Sequence, residues 1–201
     1  MTTDLSFLAL QKAGVGAYFR PRDVAALGVT HHQLQRMVAD GHVELVGSGL
    51  YRLTEVDITE KETIAMVAAA VPHAVVCLLS ALRVHEIGTQ SPYQVWLAID
   101  RKARKPSRVP SAVRIVRFSG QMLTYGVTTT SMLGVRVRIT TPARTVVDCF
   151  RYRNKVGLDV AMEALRDGVR SRRVMVSEID RVAKVCRIST VMAPYLAALS
   201  V

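Results

Sequence analysis

Residues 21–53 read PRDVAALGVTHHQLQRMVADGHVELVGSGLYRL, and this stretch decides the fold. Pro21 suits the first turn of a helix, and the run Pro21 to Leu27 is stopped by Gly28. Thr30 is a good N-cap for the next helix, His31 to Asp40, which Gly41 ends. Two short helices joined through Gly28-Val29-Thr30 have helix-turn-helix spacing. Val43 to Val46 and Leu50 to Leu53 are extended runs joined by Gly47-Ser48-Gly49, which predicts a hairpin. Helix, turn, helix, hairpin is the order of a winged helix-turn-helix. Upstream, Thr3 can cap a helix carrying Leu5, Leu8 and Ala9 that ends near Gly14, and Tyr18 to Arg20 is a short extended piece.

The helix that Thr30 opens can be read face by face. Leu34, Met37 and Val38 fall together and should pack inward. His32 and Arg36 project opposite them, flanked by Gln33, Gln35 and Ala39. Arg and Gln suit base edges and phosphates in a major groove, although any solvated helix face carries such residues. The helix-turn-helix and hairpin together favour DNA. The candidate contacts are Thr30, His32, Gln33, Gln35 and Arg36, with Arg52 on the hairpin reaching a phosphate or the minor groove.

Charge divides the chain near residue 60. The 201 residues hold 27 Lys and Arg against 16 Asp and Glu, a net charge of +11 that predicts an acidic partner. Residues 1–60 hold five basic and seven acidic residues, a balance of −2, so 61–201 carry +13. Phosphate contacts supply most non-specific affinity for DNA, so the first sixty residues alone should bind it weakly. Arg101, Lys102, Arg104, Lys105, Arg114, Arg136 and Arg138 could meet either DNA backbone or an acidic protein surface. A composition that is half hydrophobic and about a fifth charged excludes a mostly disordered chain.

Beyond residue 57 the pattern is mixed. Thr59 to Glu62 is a capping box for a helix to about Val71, Val75 to Leu79 is a buried run, and Ser80 can cap a short helix to His85. Tyr93 to Ile99 reads as a buried strand holding Trp96, and residues 101–108 as a solvated basic loop. Arg114 and Arg117 lie on a further strand, and Val127 to Met132 with Gly134 to Ile139 are expected to pair as a hairpin. Pro142 begins a helix with Ala143, Val146, Val147 and Phe150 inward, and with Arg144, Asp148 and Arg151 on the other side. Leu158 to Val169 is amphipathic, with Leu158, Ala161, Met162, Leu165 and Val169 on its apolar face and Asp159, Glu163 and Asp167 in surface ion pairs with Arg166 and Arg170. Two helices follow, from Ser177 and after Thr190. The expected fold class is α+β: a winged helix-turn-helix domain over 1–57, then a larger mixed α/β domain over 58–201.

Catalysis and cofactors find little support. Asp100 and Lys102 are the second half of a Mg²⁺-dependent nuclease pattern whose first half is missing. His73 and His85 flank Cys77 without a local signature, and Cys77, Cys149 and Cys186 read as buried thiols in a reducing cytosol. There is no Cys-x-x-Cys pair, Walker loop, His-Glu-x-x-His helix or Gly-x-Ser-x-Gly turn, so no metal, cofactor or enzymatic activity is expected. No apolar stretch reaches the roughly 18 to 20 residues that span a bilayer. A basic n-region followed by an apolar h-region is also missing, so a cytoplasmic protein without a membrane partner is expected.

Three segments in order and spacing resemble the AbiEi family of antitoxins from bacterial type IV toxin–antitoxin, or abortive-infection, operons. They are the stretch from Gly28 through Gly41 to Leu53, then Ser80-Ala-Leu-Arg-Val-His85-Glu-Ile-Gly88, then Thr140-Thr-Pro-Ala-Arg144-Thr-Val-Val-Asp148. The resemblance spans about residues 5 to 170. It implies an N-terminal winged helix that binds double-stranded operator repeats and represses its own operon, and a C-terminal domain that supplies antitoxicity. It implies an opposed toxin of nucleotidyltransferase type, with direct binding of that toxin left open, and it marks Arg144 and Asp148 as family-motif residues. The competing readings are a stand-alone winged-helix regulator and a divergent Mg²⁺-dependent nuclease using Asp100 and Lys102.

Overall fold

The structure is a computed structural model that describes residues 7, 10, 12–54, 62–107, 109 and 111–199. The expected Thr3 cap, Leu5, Leu8 and Ala9 lie outside the described residues, as do Thr59, Arg108 and Pro110. The chain is mixed α/β, with helices and two sheets. It separates into two compact units. Unit one comprises 1–72, 106–111 and 130–137; unit two comprises 73–105, 112–129 and 138–201.

Unit one is built on β1 (Tyr18–Phe19), α1 (Pro21–Ala25), α2 (His31–Ala39), β2 (Val43–Gly47), β3 (Leu50–Leu53) and α3 (Glu62–Ala70). Pro21 takes the first turn of α1, and the Arg20 backbone N–H donates to the Asp23 carboxylate at 2.8 Å. Gly28 and Gly41 both have φ +77°, a left-handed conformation that ends each helix cheaply only for glycine. The hairpin forms where the glycines predict it, with Glu44 opposite Arg52 and Leu45 opposite Tyr51. β1 adds to its other side, so the antiparallel sheet runs β1-β3-β2. Leu34 and Met37 of α2 are fully buried against Phe19, Tyr51, Val43 and Leu53, which makes one face of the sheet the core of this unit. α3 is fixed at its C-terminus by the Arg20 guanidinium, which donates to the Ala69 and Ala70 carbonyls at 3.4 and 2.9 Å. Gly16 passes so close to Gly134 that the Ala17 N–H donates to the Leu133 carbonyl at 2.7 Å.

Unit two contains β4 (Val75–Val76), α4 (Leu78–Val84), β5 (Val95–Asp100), β6 (Val113–Phe118), a 3₁₀ turn (Gly120–Leu123), α5 (Pro142–Arg151), α6 (Arg153–Val156), α7 (Leu158–Arg170), α8 (Val176–Val185) and α9 (Ser189–Ala197). The five-stranded sheet has order β6-β5-β4-β8-β7, with β7 (Val127–Met132) and β8 (Val135–Thr140) divided between the units, since residues 130–137 belong to unit one. β5 pairs parallel with β6 and antiparallel with β4. The core gathers Trp96, Phe118, Phe150, Leu165 and Ile179 around α5.

Several expectations for this unit need correction. α5 is buried at every position from Ala143 to Phe150, so Arg144 and Asp148 do not face outward. Both have no exposed surface, and the Arg144 Nε lies 3.0 Å from each Asp148 carboxylate oxygen. The rest of the guanidinium donates to the Tyr125 and Met122 carbonyls and sits 4.9 Å from the centre of the Phe118 ring. A charge pair four residues apart can neutralise itself inside a helix packed on all sides, which a search for one apolar stripe does not detect. Ser80 does not cap α4, since the N-cap is Cys77. The Ser80 hydroxyl is buried and accepts from the Trp96 N–H at 2.9 Å, tying α4 to β5. Tyr93 precedes β5 and is 88% exposed. Leu158 is also exposed, and Val160, Ala161, Ala164, Leu165 and Gly168 form the buried side of α7.

Glu163 and Asp167 do more than pair on the surface. Glu163 Oε1 accepts from the Thr89 N–H at 2.9 Å and the Thr89 hydroxyl at 2.6 Å, and Oε2 accepts from Gln90 Nε2 at 3.2 Å. Asp167 Oδ2 accepts from the Gly88 N–H at 2.8 Å while Oδ1 takes Arg170 at 2.9 Å. The Thr89 hydroxyl holds the Glu163 carboxyl below its ordinary range, and the Gly88 N–H does the same for Asp167. Depressed carboxyl values stabilise the fold above the ordinary range near pH 4, and that stabilisation is lost as pH falls through the folded values. Hydrogen exchange at the Gly88 and Thr89 amides, corrected for intrinsic rates, should therefore speed up once the pH drops below about 4. Unchanged protection there would show that the carboxylates do not hold the loop.

Candidate nucleic-acid interface

α2 is held by a reciprocal cap. The Thr30 hydroxyl oxygen accepts from the Gln33 N–H at 3.3 Å, while Gln33 Oε1 accepts from the Thr30 N–H at 2.7 Å and from its hydroxyl at 2.9 Å. Thr30 and Gln33 thus position the start of the helix. The signature Thr-x-x-Gln was present in the sequence. With Leu34, Met37 and Val38 turned inward, His32, Gln35, Arg36 and Ala39 form one exposed face. Arg36 lies 3.9 Å from Asp40 across a solvated helical turn, a contact too weak to keep it from another anion.

Arg52 stands apart from that face. Its neighbours Tyr51 and Leu53 point into the core with α2, so alternation along β3 turns Arg52 to the opposite side of the sheet. There Nη2 donates to Glu44 at 2.6 Å and Nη1 to Glu62 at 3.1 Å, and Glu62 also accepts from the Tyr18 hydroxyl. Tyr18, Arg52 and Glu44 lie abreast on the three strands, and Glu62 reaches them from the first turn of α3. Arg52 Nε is buried without a partner among the described residues.

The other basic candidates are dispersed. Arg101, Lys102, Arg104 and Lys105 share one exposed loop after β5. Arg114, on the neighbouring strand β6, is exposed, with its guanidinium carbon 4.7 Å from the centre of the Trp96 ring. Arg136 is exposed and belongs to unit one. Arg138, in unit two, donates to the His73 and Leu123 carbonyls, both at 2.9 Å. Charge follows the same division. Unit one has eight basic and eight acidic residues, so the whole +11 resides in unit two.

Of the groups weighed for catalysis, Asp100 and His85 make local structural contacts. Asp100 Oδ1 accepts from the Lys102 N–H at 2.7 Å and shapes a turn. His85 Nε2 lies 2.6 Å from the Thr140 carbonyl, and burial lowers its pKa, so the neutral ring donates to that oxygen. Burial pushes the Cys77 and Cys149 thiols up, which removes their nucleophilic character. No group of three or more His, Cys, Asp and Glu is placed to hold a metal ion among the described residues.

Two short helices around a glycine turn, with the second presenting a capped, solvated polar face, form a helix-turn-helix arrangement. Residues 9–54 match the family model described as a transcriptional regulator, AbiEi antitoxin. That match covers about a quarter of the chain and supports an AbiEi-family antitoxin, a family of regulators rather than of enzymes. No curated protein matches the chain. No helix of the described residues is long and apolar enough to cross a membrane.

Proposed function

We propose that this chain is the antitoxin of a type IV toxin–antitoxin operon and a cytoplasmic, DNA-binding repressor of that operon, opposed to a nucleotidyltransferase-like toxin. The observation that carries the DNA-binding part is the exposed face of α2. His32, Gln35 and Arg36 stand together on a helix fixed by its cap and by two buried anchors. Such a helix enters a major groove with its polar side chains on base edges, and the β2–β3 hairpin serves as the wing. In this reading residues 1–57 house operator binding, residues 58–201 house antitoxicity, and neither part is catalytic. Arg52 shapes the wing through Glu44 and Glu62.

The test measures binding of the whole chain to the duplex upstream of its own gene. Arg36→Ala should cost about 1–3 kcal/mol, or roughly fivefold to 150-fold in affinity. It should still rescue growth when co-expressed with the neighbouring gene. A folded Arg36→Ala protein that binds as wild type would remove α2 as the reading helix. One that loses both functions would end the division of labour.

A further inference from the structure

Two exposed apolar residues adjoin at the start of α8. Met175 is 61% exposed and Val176 38%. Single exposed hydrophobic residues are ordinary, but these two stand beside a concavity. The turn that presents them is firmly held. The Arg172 N–H donates to the Val169 carbonyl at 3.1 Å, the Val174 N–H donates to the Gly168 carbonyl at 3.0 Å, and the Val174 side chain is buried. The Met175 N–H donates to the Glu178 carboxylate at 3.2 Å, and Glu178 borders a cavity of about 500 Å³. Pro142, Ala143 and Val182 give that cavity an apolar floor. The floor is closed by Gly126, whose carbonyl accepts from the Thr141 N–H at 2.9 Å. Buried Arg144 fixes it, donating to the Tyr125 carbonyl and packing so close that a Cβ on Gly126 would stand 2.9 Å from the Arg144 Cβ. Arg173 and Arg181 also line the cavity, and both are exposed. All these residues belong to unit two.

We propose that Met175, Val176 and this cavity are a docking surface for an acidic protein partner, which seats one apolar side chain on Pro142, Ala143 and Val182 while its carboxylates meet Arg173 and Arg181. The proposal rests on the reading of the chain as an antitoxin and names the surface on which it would meet its toxin. The composition is that of an interface centre, where Met, aromatic residues and Arg are enriched and an apolar middle is ringed by polar groups. The charge favours an acidic partner. Arg181 is in no ion pair among the described residues, and Arg173 meets Glu86 only through a solvated contact, which is weak. Glu178, the carboxylate at the cavity, is spent on the Met175 N–H. A second copy of the chain is disfavoured, because unit two carries the whole +11 and would repel itself. Nucleic acid fits less well, since phosphate contacts draw on released counterions and leave an apolar centre unused. The held turn and the pinned floor mean that little order has to be gained on binding.

The experiment measures binding kinetics between the full chain and the purified product of the neighbouring gene, beside growth rescue on co-expression. The variants are Met175→Glu, Arg181→Glu and, as a control elsewhere on unit two, Tyr93→Ser at another exposed hydrophobic residue. Met175→Glu places a charge at the apolar centre and should weaken binding by at least about tenfold, chiefly through faster dissociation. Arg181→Glu reverses a rim charge and should slow association by about fivefold or more, with a weaker dependence on salt. Tyr93→Ser should bind as wild type. All three sites are exposed, so melting temperatures should stay at the wild-type value. Wild-type binding by folded Met175→Glu and Arg181→Glu would overturn the docking surface and spare the antitoxin reading. Growth rescue by a wild-type chain that does not bind the purified product would do the same. A loss in Tyr93→Ser alone would move the contact to another face and also overturn the proposal. A wild-type chain that neither binds the product nor rescues growth would overturn both readings.

Discussion

Asp148→Ala should lower the unfolding free energy by about 3–5 kcal/mol, because it leaves Arg144 charged in the core without a counter-ion. The Arg144 guanidinium has no exposed surface, so water cannot replace the lost carboxylate. Burial pushes the Asp148 carboxyl up to about 6 against the pull of Arg144, which leaves it ionised at neutral pH and makes the pair a true ion pair there. Replacing both partners, as in Arg144→Leu with Asp148→Leu, should cost less than the single change, since a buried pair exchanged for apolar groups is often neutral. It would still strand the Tyr125 and Met122 carbonyls that Arg144 holds, so some loss should remain. Urea midpoints for wild type, the single variant and the double variant check this order. A single variant within 1 kcal/mol of wild type would show that the pair is not a stability element.

Gly16→Ala should be the second severe change. A Cβ on Gly16 would stand 2.6 Å from the Gly134 carbonyl carbon and 2.7 Å from its oxygen, with the Val135 nitrogen at 2.9 Å. These are main-chain atoms, so no side chain can swing aside to relieve the contact. Gly134 itself has φ +74°, which fixes the approaching turn in a form other residues resist. The expected loss is about 1–3 kcal/mol from overpacking. It should appear as a shifted urea midpoint, with weakened protection of the Ala17 amide that bonds to Leu133. A midpoint equal to wild type would show that this approach can open without cost.

The parts of the fold legible in the sequence are those written in local chemistry. Gly28, Gly41 and Gly49 mark boundaries by left-handed conformations few residues adopt, and Thr30 marks one by its cap, so α2 and the hairpin fall where they predict. The exposed face of α2 follows from a period of 3.6 and two buried anchors. What stayed hidden depends on residues distant in the chain. Arg144 reads as a surface residue until loop carbonyls from 122 and 125 close around it. Arg52 reads as a free cation until strand register brings Glu44 opposite and α3 supplies Glu62. Arg117 is an ordinary strand residue until the β5–β6 pairing puts it within reach of the loop after β5.

The brace on α3 has a practical consequence for the helix-turn-helix as a portable part. Tyr18 and Arg52 hold Glu62 at one end of α3, and Arg20 holds the Ala69 and Ala70 carbonyls at the other. Arg20 is also the N-cap residue of α1. A graft of residues 21–53 onto another scaffold would carry the exposed polar face of α2 but leave Tyr18, Arg20 and Glu62 behind. The Tyr18 phenol and the Glu62 carboxylate that now meet Arg52 would have to be matched by the new host, or the angle between the β2–β3 hairpin and α2 would drift.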